Sequence, residues 1–173
     1  MKIIGILFLR MFKCIVFIAL FAPAVWSYSA GAPKDICLSN DPNVDLFPQH
    51  GGVKSQESQI PYTLSGPNKV KGGETVSFTL KGNNNLKFKG FILQGRANGQ
   101  PVGSFTPKTS SQTIDCKGSK DTVTHKKLEN GASTATFDWK APASKQSVII
   151  FGTVAENGGK FWVKKIQHAI QVE

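Results

Sequence analysis

The sequence has few of the residues on which catalytic and metal sites depend. Its three histidines, His50, His125 and His168, are scattered, and none stands at a spacing typical of metal ligands. Ser104 lacks the remaining glycine of a nucleophile elbow, and the glycines on either side of Arg96 lack the strand-to-helix context of a phosphate-binding loop. We therefore expect no catalytic activity, no bound metal and no cofactor.

A hydrophobic run long enough to cross a membrane is also lacking. The uncharged apolar residues 14–26 follow three basic residues and are too few to span a bilayer. Val25 and Ser27 suit the −3 and −1 positions of a signal-peptidase site. We predict a signal peptide over residues 1–27 and one secreted domain over residues 28–173. A retained membrane anchor is the alternative.

Cysteine is scarce, and removal of the signal peptide would remove Cys14 as well. Cys37 and Cys116 then remain, and in an oxidising compartment we expect them to form a disulfide bond. The bond would close a loop of nearly eighty residues, for which chain entropy predicts about 4 kcal/mol of stabilisation. It would also hold the N-terminal segment against the rest of the domain.

Acidic residues are few relative to basic ones. The whole chain has 21 lysines and arginines against 11 acidic residues, and the predicted mature chain keeps 18 of the basic residues, for a net charge of +7. This charge favours anionic partners such as phosphorylated glycolipids, sulfated glycans or an acidic membrane surface. We expect no nucleic-acid partner, because a secreted protein seldom meets one, and no stable membrane insertion. A solvated basic surface that confers only solubility is the alternative.

No segment sustains a helical period, and the hydrophobic pattern is that of β-strands. Val76, Phe78 and Leu80 alternate with polar residues, which indicates a strand buried on one face. Residues 147–154 are apolar on both faces and predict a central strand, whereas residues 38–59 have few apolar side chains and predict a long loop. About eight short strands at roughly ten-residue spacing favour an antiparallel β-sandwich.

Basic residues cluster around several of the predicted strands, and one aromatic residue lies among the last of them. Lysines can dock phosphates or sulfates as point charges, with an aromatic ring as a further contact. The alternative is that the lysines prevent strand edges from pairing with other molecules, and that the tryptophan belongs to the core. The predicted ligand-binding residues are Lys87, Lys89, Arg96, Lys126, Lys127, Lys160, Trp162, Lys164 and Lys165.

Several sequence blocks, in their order and spacing, resemble the single-domain reeler proteins of insects. The blocks are YSAGAPKDIC from Tyr28, PYTLS at 61–65, FKGFILQGR and PVGSF within 88–105, TVTHK at 122–126, FDWKAP at 137–142 and FWVKK at 161–165. In one place the chain departs from the family pattern, because Phe47–Pro48–Gln49–His50 keeps only the Pro-x-His part of a Met-x-Pro-x-His element.

The resemblance implies an immunoglobulin-like antiparallel β-sandwich of about eight strands with one disulfide. It also implies a secreted protein of innate immunity, which binds bacterial lipopolysaccharide, lipoteichoic acid or fungal glucan and promotes haemocyte aggregation. Neural relatives imply an alternative, a matrix or adhesion module that binds sulfated glycans or a cell-surface receptor. A carrier that holds an apolar ligand between the sheets is a third hypothesis. Fold and function are separable, so each hypothesis needs a site of its own.

Overall fold

Eleven β-strands make up most of the regular structure in the computed structural model, which describes residues 30–173. The predicted signal peptide and its cleavage site after Ser27 lie outside the described residues. In chain order the strands are β1 Tyr62–Ser65, β2 Lys69–Val70, β3 Thr75–Gly82, β4 Gly90–Ala97, β5 Gln100–Pro101, β6 Ser104–Pro107, β7 Ser111–Ile114, β8 Thr122–His125, β9 Thr134–Lys140, β10 Gln146–Asn157 and β11 Lys160–Val172.

The strands form two sheets. A four-stranded sheet has the order β1-β3-β9-β6, and a seven-stranded sheet has the order β2-β11-β10-β4-β8-β7, with β5 paired to β4. Neighbouring strands are antiparallel, apart from β2 and β11, which are parallel. The predicted antiparallel sandwich is therefore confirmed. Two of the strands beyond the predicted eight are β2 and β5, which have only two residues each, too few to show an alternation.

The alternation along β3 and β9 places aromatic side chains between the two sheets. Phe78 and Phe137 are partners on adjacent strands, are 0% exposed, and stack with ring centroids 6.2 Å apart. Trp139 lies on the same face of β9, and Leu93 and Ile150 of the other sheet are buried with it. These side chains fill the space between the sheets, so an apolar ligand would have to displace them. This packing argues against the apolar-ligand carrier.

The outer face of the seven-stranded sheet is partly covered by residues 30–59, which contain no strand. Ile36 and Leu46 of this segment are buried against Ile92 and the partly buried Phe151 of the sheet. The Thr153 hydroxyl donates a hydrogen bond of 2.7 Å to the Leu46 carbonyl. The predicted long loop is therefore held to the sheet by a small apolar cluster and by hydrogen bonds.

A disulfide bond between Cys37 and Cys116 links this covering segment to the residues that follow β7. Their Cα atoms are 5.9 Å apart, within the usual range for a disulfide. The predicted pairing is confirmed. Within residues 30–173, no helix is both long enough and apolar enough to cross a membrane.

Candidate functional site

Five of the predicted ligand-binding residues lie at one end of the sandwich. β4 begins where β10 ends, because Gly90 pairs with Ala155 and the Lys89 N–H donates to the Ala155 carbonyl at 2.9 Å. β8 ends there too, because the Phe91 N–H donates to His125 Nδ1 at 3.2 Å. We call this end, with its five lysines, the lysine end: Lys87, Lys89, Lys126, Lys127 and Lys160.

The local backbone exposes the first two of these lysines. Phe88 is 0% exposed and exchanges two backbone hydrogen bonds with Ala132, of 2.8 and 2.9 Å, so its ring points into the core. Because successive side chains of an extended chain point in opposite directions, Lys87 and Lys89 both face solvent. The Tyr62 hydroxyl donates to the Lys87 carbonyl at 3.0 Å. Burial, with the negative charge of Glu156, raises the pKa of Tyr62 to about 12, so it remains a neutral donor.

The lysine end has an excess of positive charge. Lys127 pairs with Glu129 at 3.1 Å, and Lys160 pairs with Glu156 at 2.9 Å, which leaves five positive charges against two negative ones. The Lys127–Glu129 pair is exposed on both sides, whereas Glu156 is only 24% exposed. An exposed pair contributes about 0–1 kcal/mol and can be exchanged for a ligand anion at little cost. The other three lysines form no ion pair with any residue of 30–173; they are Lys87, Lys89 and Lys126.

Trp162 is not part of this surface. Its side chain is 2% exposed, its ring contacts the ring of Tyr62 at 5.7 Å, and its Nε1–H donates to Ser58 Oγ at 3.2 Å. The ammonium group of Lys160 lies 5.5 Å from the centre of the indole ring, so the lysine covers it from outside. The predicted aromatic contact with a ligand is therefore corrected: Trp162 is a core residue that supports Lys160.

Arg96 also differs from its predicted role, because its guanidinium is committed to the fold. It donates to both carboxylate oxygens of Asp45, at 2.6 and 2.8 Å, and its Nε–H donates to Gln94 Oε1 at 2.6 Å. A fourth hydrogen bond, of 3.3 Å, reaches the Cys37 carbonyl. The side chain is only 9% exposed. Four of its five N–H donors are thus used within the described chain, and three of them hold the covering segment on the sheet.

Lys164 completes this arrangement, which we call the Asp45 clamp (Asp45, Arg96 and Lys164). The Lys164 ammonium group lies 3.1 Å from Asp45 Oδ2, and its side chain is 29% exposed. Burial acts to raise the pKa of Asp45, but hydrogen bonds and charges from Arg96 and Lys164 outweigh it and hold the pKa below its ordinary value. Lys165, the remaining predicted residue, points elsewhere and pairs with the exposed Glu57 at 3.2 Å.

A recess of about 460 Å³ opens beside the Asp45 clamp, where the covering segment leaves the sheet exposed. The Asn98–Gly99 turn between β4 and β5 forms part of its wall, and both residues have the positive φ of a tight hairpin turn (50° and 76°). We call this recess the outer groove; it is lined by Arg96, Asn98, Ile149, Phe151, Lys164 and Gln167. The predicted set is thus divided between the lysine end and this groove, with Trp162 and Lys165 in neither.

Asp45 is the residue that sequence reasoning missed. It lies 51 positions from Arg96 and 119 positions from Lys164, so no local pattern could pair them. The only signal in the sequence is an acidic residue directly before the apolar pair Leu46–Phe47, in a segment otherwise interpreted as a loop.

The fold and the disulfide define a β-sandwich module of a class typical of extracellular proteins. A family model described as the Reeler domain matches residues 44–173. The chain belongs to this family, as the sequence blocks had indicated.

Comparison with individual proteins agrees with this assignment. Defense protein l(2)34Fc of Drosophila melanogaster is 39% identical over 169 residues, which cover 94% of this chain and 100% of that protein. The crystal structure of the human F-spondin reeler domain superposes with a TM-score of 0.59 at 15% identity, over 70% of this chain and 95% of that one. The Reelin-N domain of F-spondin gives 0.57 at 16% identity, over 70% and 92%. At these identities the solved structures show the fold alone.

Proposed function

We propose that this protein is a secreted, non-enzymatic recognition protein of innate immunity that binds anionic microbial surface components through the lysine end. The observation that carries the proposal is the gathering of five lysines at one end of the sandwich, three of them without an ion-pair partner in residues 30–173. The name of the Drosophila relative, a defense protein, supports a role in defence.

Charge and geometry favour a phosphate-bearing ligand. Lipopolysaccharide and lipoteichoic acid both carry phosphates, which lysine ammonium groups bind as point charges. Because the lysines start from separate strands and loops, they can contact several phosphates at once on a polyanionic surface. Uncharged fungal glucan offers no such contact and serves as a natural comparison. Haemocyte aggregation would follow if a bound microbial polyanion, or the haemocyte surface itself, links several copies of the protein.

The test is a titration of the purified mature protein with lipopolysaccharide and with lipoteichoic acid. The triple variant Lys87→Gln, Lys89→Gln and Lys126→Gln should lose about fivefold to about a hundredfold in affinity, because each lost phosphate contact costs a few tenths to about one kcal/mol and about 1.4 kcal/mol is tenfold. Raising the salt from about 0.1 M to about 1 M shortens the Debye length from about 10 Å to about 3 Å and should weaken the wild type more than the variant.

The opposite end of the sandwich offers a matched control. Lys140 pairs with the first residue of β3, Thr75, and Lys71 and Lys145 precede β3 and β10, so all three exposed lysines lie away from the lysine end. Changing Lys71, Lys140 and Lys145 to glutamine removes the same net charge and should leave the affinity within about twofold. Equal losses in both triple variants would mean that net charge, and not the lysine end, attracts the ligand.

A heparin-like sulfated glycan is the second ligand to titrate, since it would contact the same lysines. Binding of this glycan together with no binding of lipopolysaccharide or lipoteichoic acid at low salt would overturn the immune proposal in favour of a matrix function. If the immune proposal is right, added protein should clump haemocytes in the presence of lipopolysaccharide, and the Lys87, Lys89 and Lys126 triple variant should clump them less.

A further inference from the structure

The outer groove combines an apolar floor with a charged end. Within residues 30–173, Ile149 is the large hydrophobic side chain that remains exposed, at 37%. Phe151 lies two positions further along β10, on the same face of the sheet, and is only partly buried. The two side chains form a short apolar strip on a face that elsewhere presents polar groups such as Ser147 and Gln167.

The charges at the groove's end do not balance. Arg96 and Lys164 carry two positive charges, and the Asp45 carboxylate supplies one negative charge between them. One Arg96 N–H and two hydrogens of the Lys164 ammonium group have no acceptor among the described residues. A single additional negative charge would neutralise the cluster and use these donors.

The guanidinium of Arg96 and the backbone of Lys164 are held in place before any ligand arrives, whereas the Lys164 ammonium group, on a side chain that is 29% exposed, can turn toward a ligand. The Arg96 guanidinium is fixed by Gln94 and the Cys37 carbonyl as well as by Asp45. The Lys164 N–H donates to Thr153 Oγ1 at 3.0 Å, and its φ of 51° belongs to an irregularity in the pairing of β10 with β11. A pre-organised cationic site beside exposed apolar carbon favours a ligand that has both an anionic group and an apolar body.

We propose that the outer groove binds a carboxylate that carries one alkyl chain of about eight to twelve carbons. The carboxylate accepts hydrogen bonds from Lys164 and Arg96, and the chain lies along Ile149 and Phe151 beside the Asn98–Gly99 turn. A monocarboxylate supplies the single negative charge that the cluster needs, whereas a phosphate monoester carries about −1.5 to −2. The recess of about 460 Å³ lies in the lower half of the range for small-molecule sites and suits one short chain.

This site is separate from the one in the proposed function and does not depend on it. Ile149 and Ala155 are six positions apart on β10, about 20 Å along the strand, and Ala155 marks the lysine end. The Lys87, Lys89 and Lys126 triple variant should therefore bind decanoate as the wild type does. If the microbial ligand fails to bind, the proposal for the outer groove is not affected. If decanoate fails to bind, the proposal for the lysine end is not affected.

The probe is decanoate, titrated below its micellar concentration by calorimetry on the mature protein. Decanol tests the chain without the charge, acetate tests the charge without the chain, and decyl phosphate tests the other head group. Decanoate should bind at least about tenfold more tightly than decanol or acetate, and its affinity should rise about two- to fourfold per methylene from octanoate onward. Equal binding of decanol, or binding of decyl phosphate more than about tenfold tighter than decanoate, would overturn the proposal.

Two variants and one control locate the site. Lys164→Met removes the charge but keeps the aliphatic stem, and it should make decanoate and decanol bind equally weakly. Ile149→Asn alters a side chain that is 37% exposed and outside the core, and it should weaken decanoate binding about tenfold. Lys165→Met, the control, removes the same charge from the next residue, which is not part of the groove lining, and should leave the affinity unchanged. An unchanged affinity in Ile149→Asn, or equal losses in the two lysine variants, would refute the site.

Discussion

Replacement of Asp45 by asparagine should destabilise the protein more than replacement of any other acidic residue in the covering segment, residues 30–59. The substitution keeps the size of the side chain but leaves Arg96 and Lys164 without their shared counter-charge. The Arg96 and Asp45 side chains are only 9% and 7% exposed, so water cannot replace the lost interaction there, whereas Lys164 at 29% can turn toward solvent. Breaking a buried ion pair from one side costs about 3–5 kcal/mol, and we expect the lower end of this range, about 3 kcal/mol, because Lys164 is partly exposed.

Urea unfolding followed by tryptophan fluorescence measures this loss directly. With a urea dependence of about 2 kcal/mol per molar, a loss of about 3 kcal/mol lowers the unfolding midpoint by about 1.5 M. A double-mutant cycle with Arg96→Gln should then show a coupling of about 2 kcal/mol between the two positions, because the second change no longer breaks a pair.

Glu57→Gln is the matched control, since it removes one acid of the same covering segment from an ion pair that lies in solvent. Glu57 is 86% exposed and pairs with Lys165, which is 40% exposed, so its loss should leave the midpoint unchanged within error. A midpoint shift in Asp45→Asn no larger than that of Glu57→Gln would refute the structural role of the Asp45 clamp.

Two further predictions concern pH and backbone geometry. Because the pKa of Asp45 is lowered in the folded protein, its stabilising contribution should be complete above the unfolded value of about 4 and be lost as the pH falls through the folded pKa. The gap between the urea midpoints of wild type and Asp45→Asn should therefore stay constant from pH 7 to about pH 5 and narrow as the pH falls below about 4; a gap that stays constant down to about pH 3 would contradict this. Gly103→Ala should cost about 2–4 kcal/mol, because φ is 73° and a Cβ there would overlap Trp139 and lie 2.6 Å from the Lys140 carbonyl. Gly73→Ala is the control, because φ is 76° there and no described heavy atom lies within 4 Å of the added Cβ. It should cost only about 1 kcal/mol in the same unfolding assay. Equal losses in the two variants would show that packing around Gly103 contributes nothing.

The strands were predictable where burial imposes a regular pattern. Phe78 and Phe137 lie on two strands, β3 and β9, that each turn one face toward the core. Buried and more exposed residues therefore alternate along both strands, and this alternation is visible in the sequence. The two-residue strands β2 and β5 have no such pattern, because they are defined only by the strands they pair with.

The candidate site was less predictable, because its parts meet only through tertiary structure. The pairing of β4 with β10 and β8 brings lysines from distant segments to one end, and no sequence separation encodes that meeting. Trp162 was assigned to the surface because lysines flank it, but its side chain lies on the inner face of β11, in the core between the sheets and against Tyr62. The neighbouring Phe161 lies on the outer face, where Phe47 contacts its ring and the Gln56 N–H donates to its carbonyl at 2.8 Å. The opposing sheet on one side and a loop from a hundred residues earlier on the other thus decide which side chains of this strand meet water.

The way residues 30–59 lie across the finished sheet has a consequence for the order of folding. The β10–β11 hairpin forms from residues close in sequence, whereas the contacts of Leu46 with Thr153 and of Asp45 with Arg96 and Lys164 close loops of 51 to 119 residues. Local hairpins form within about 1–10 μs, and contacts that close long loops form later because they lose more chain entropy. The pairing of β4 with β10 and of β10 with β11 brings Arg96, Thr153 and Lys164 together, and these are the residues to which the covering segment binds. We therefore expect the covering segment to dock last, after the strands beneath it have paired. Because Asp45 lines the outer groove, the groove exists only once this step is complete, and a ligand bound there would report on the final stage of folding.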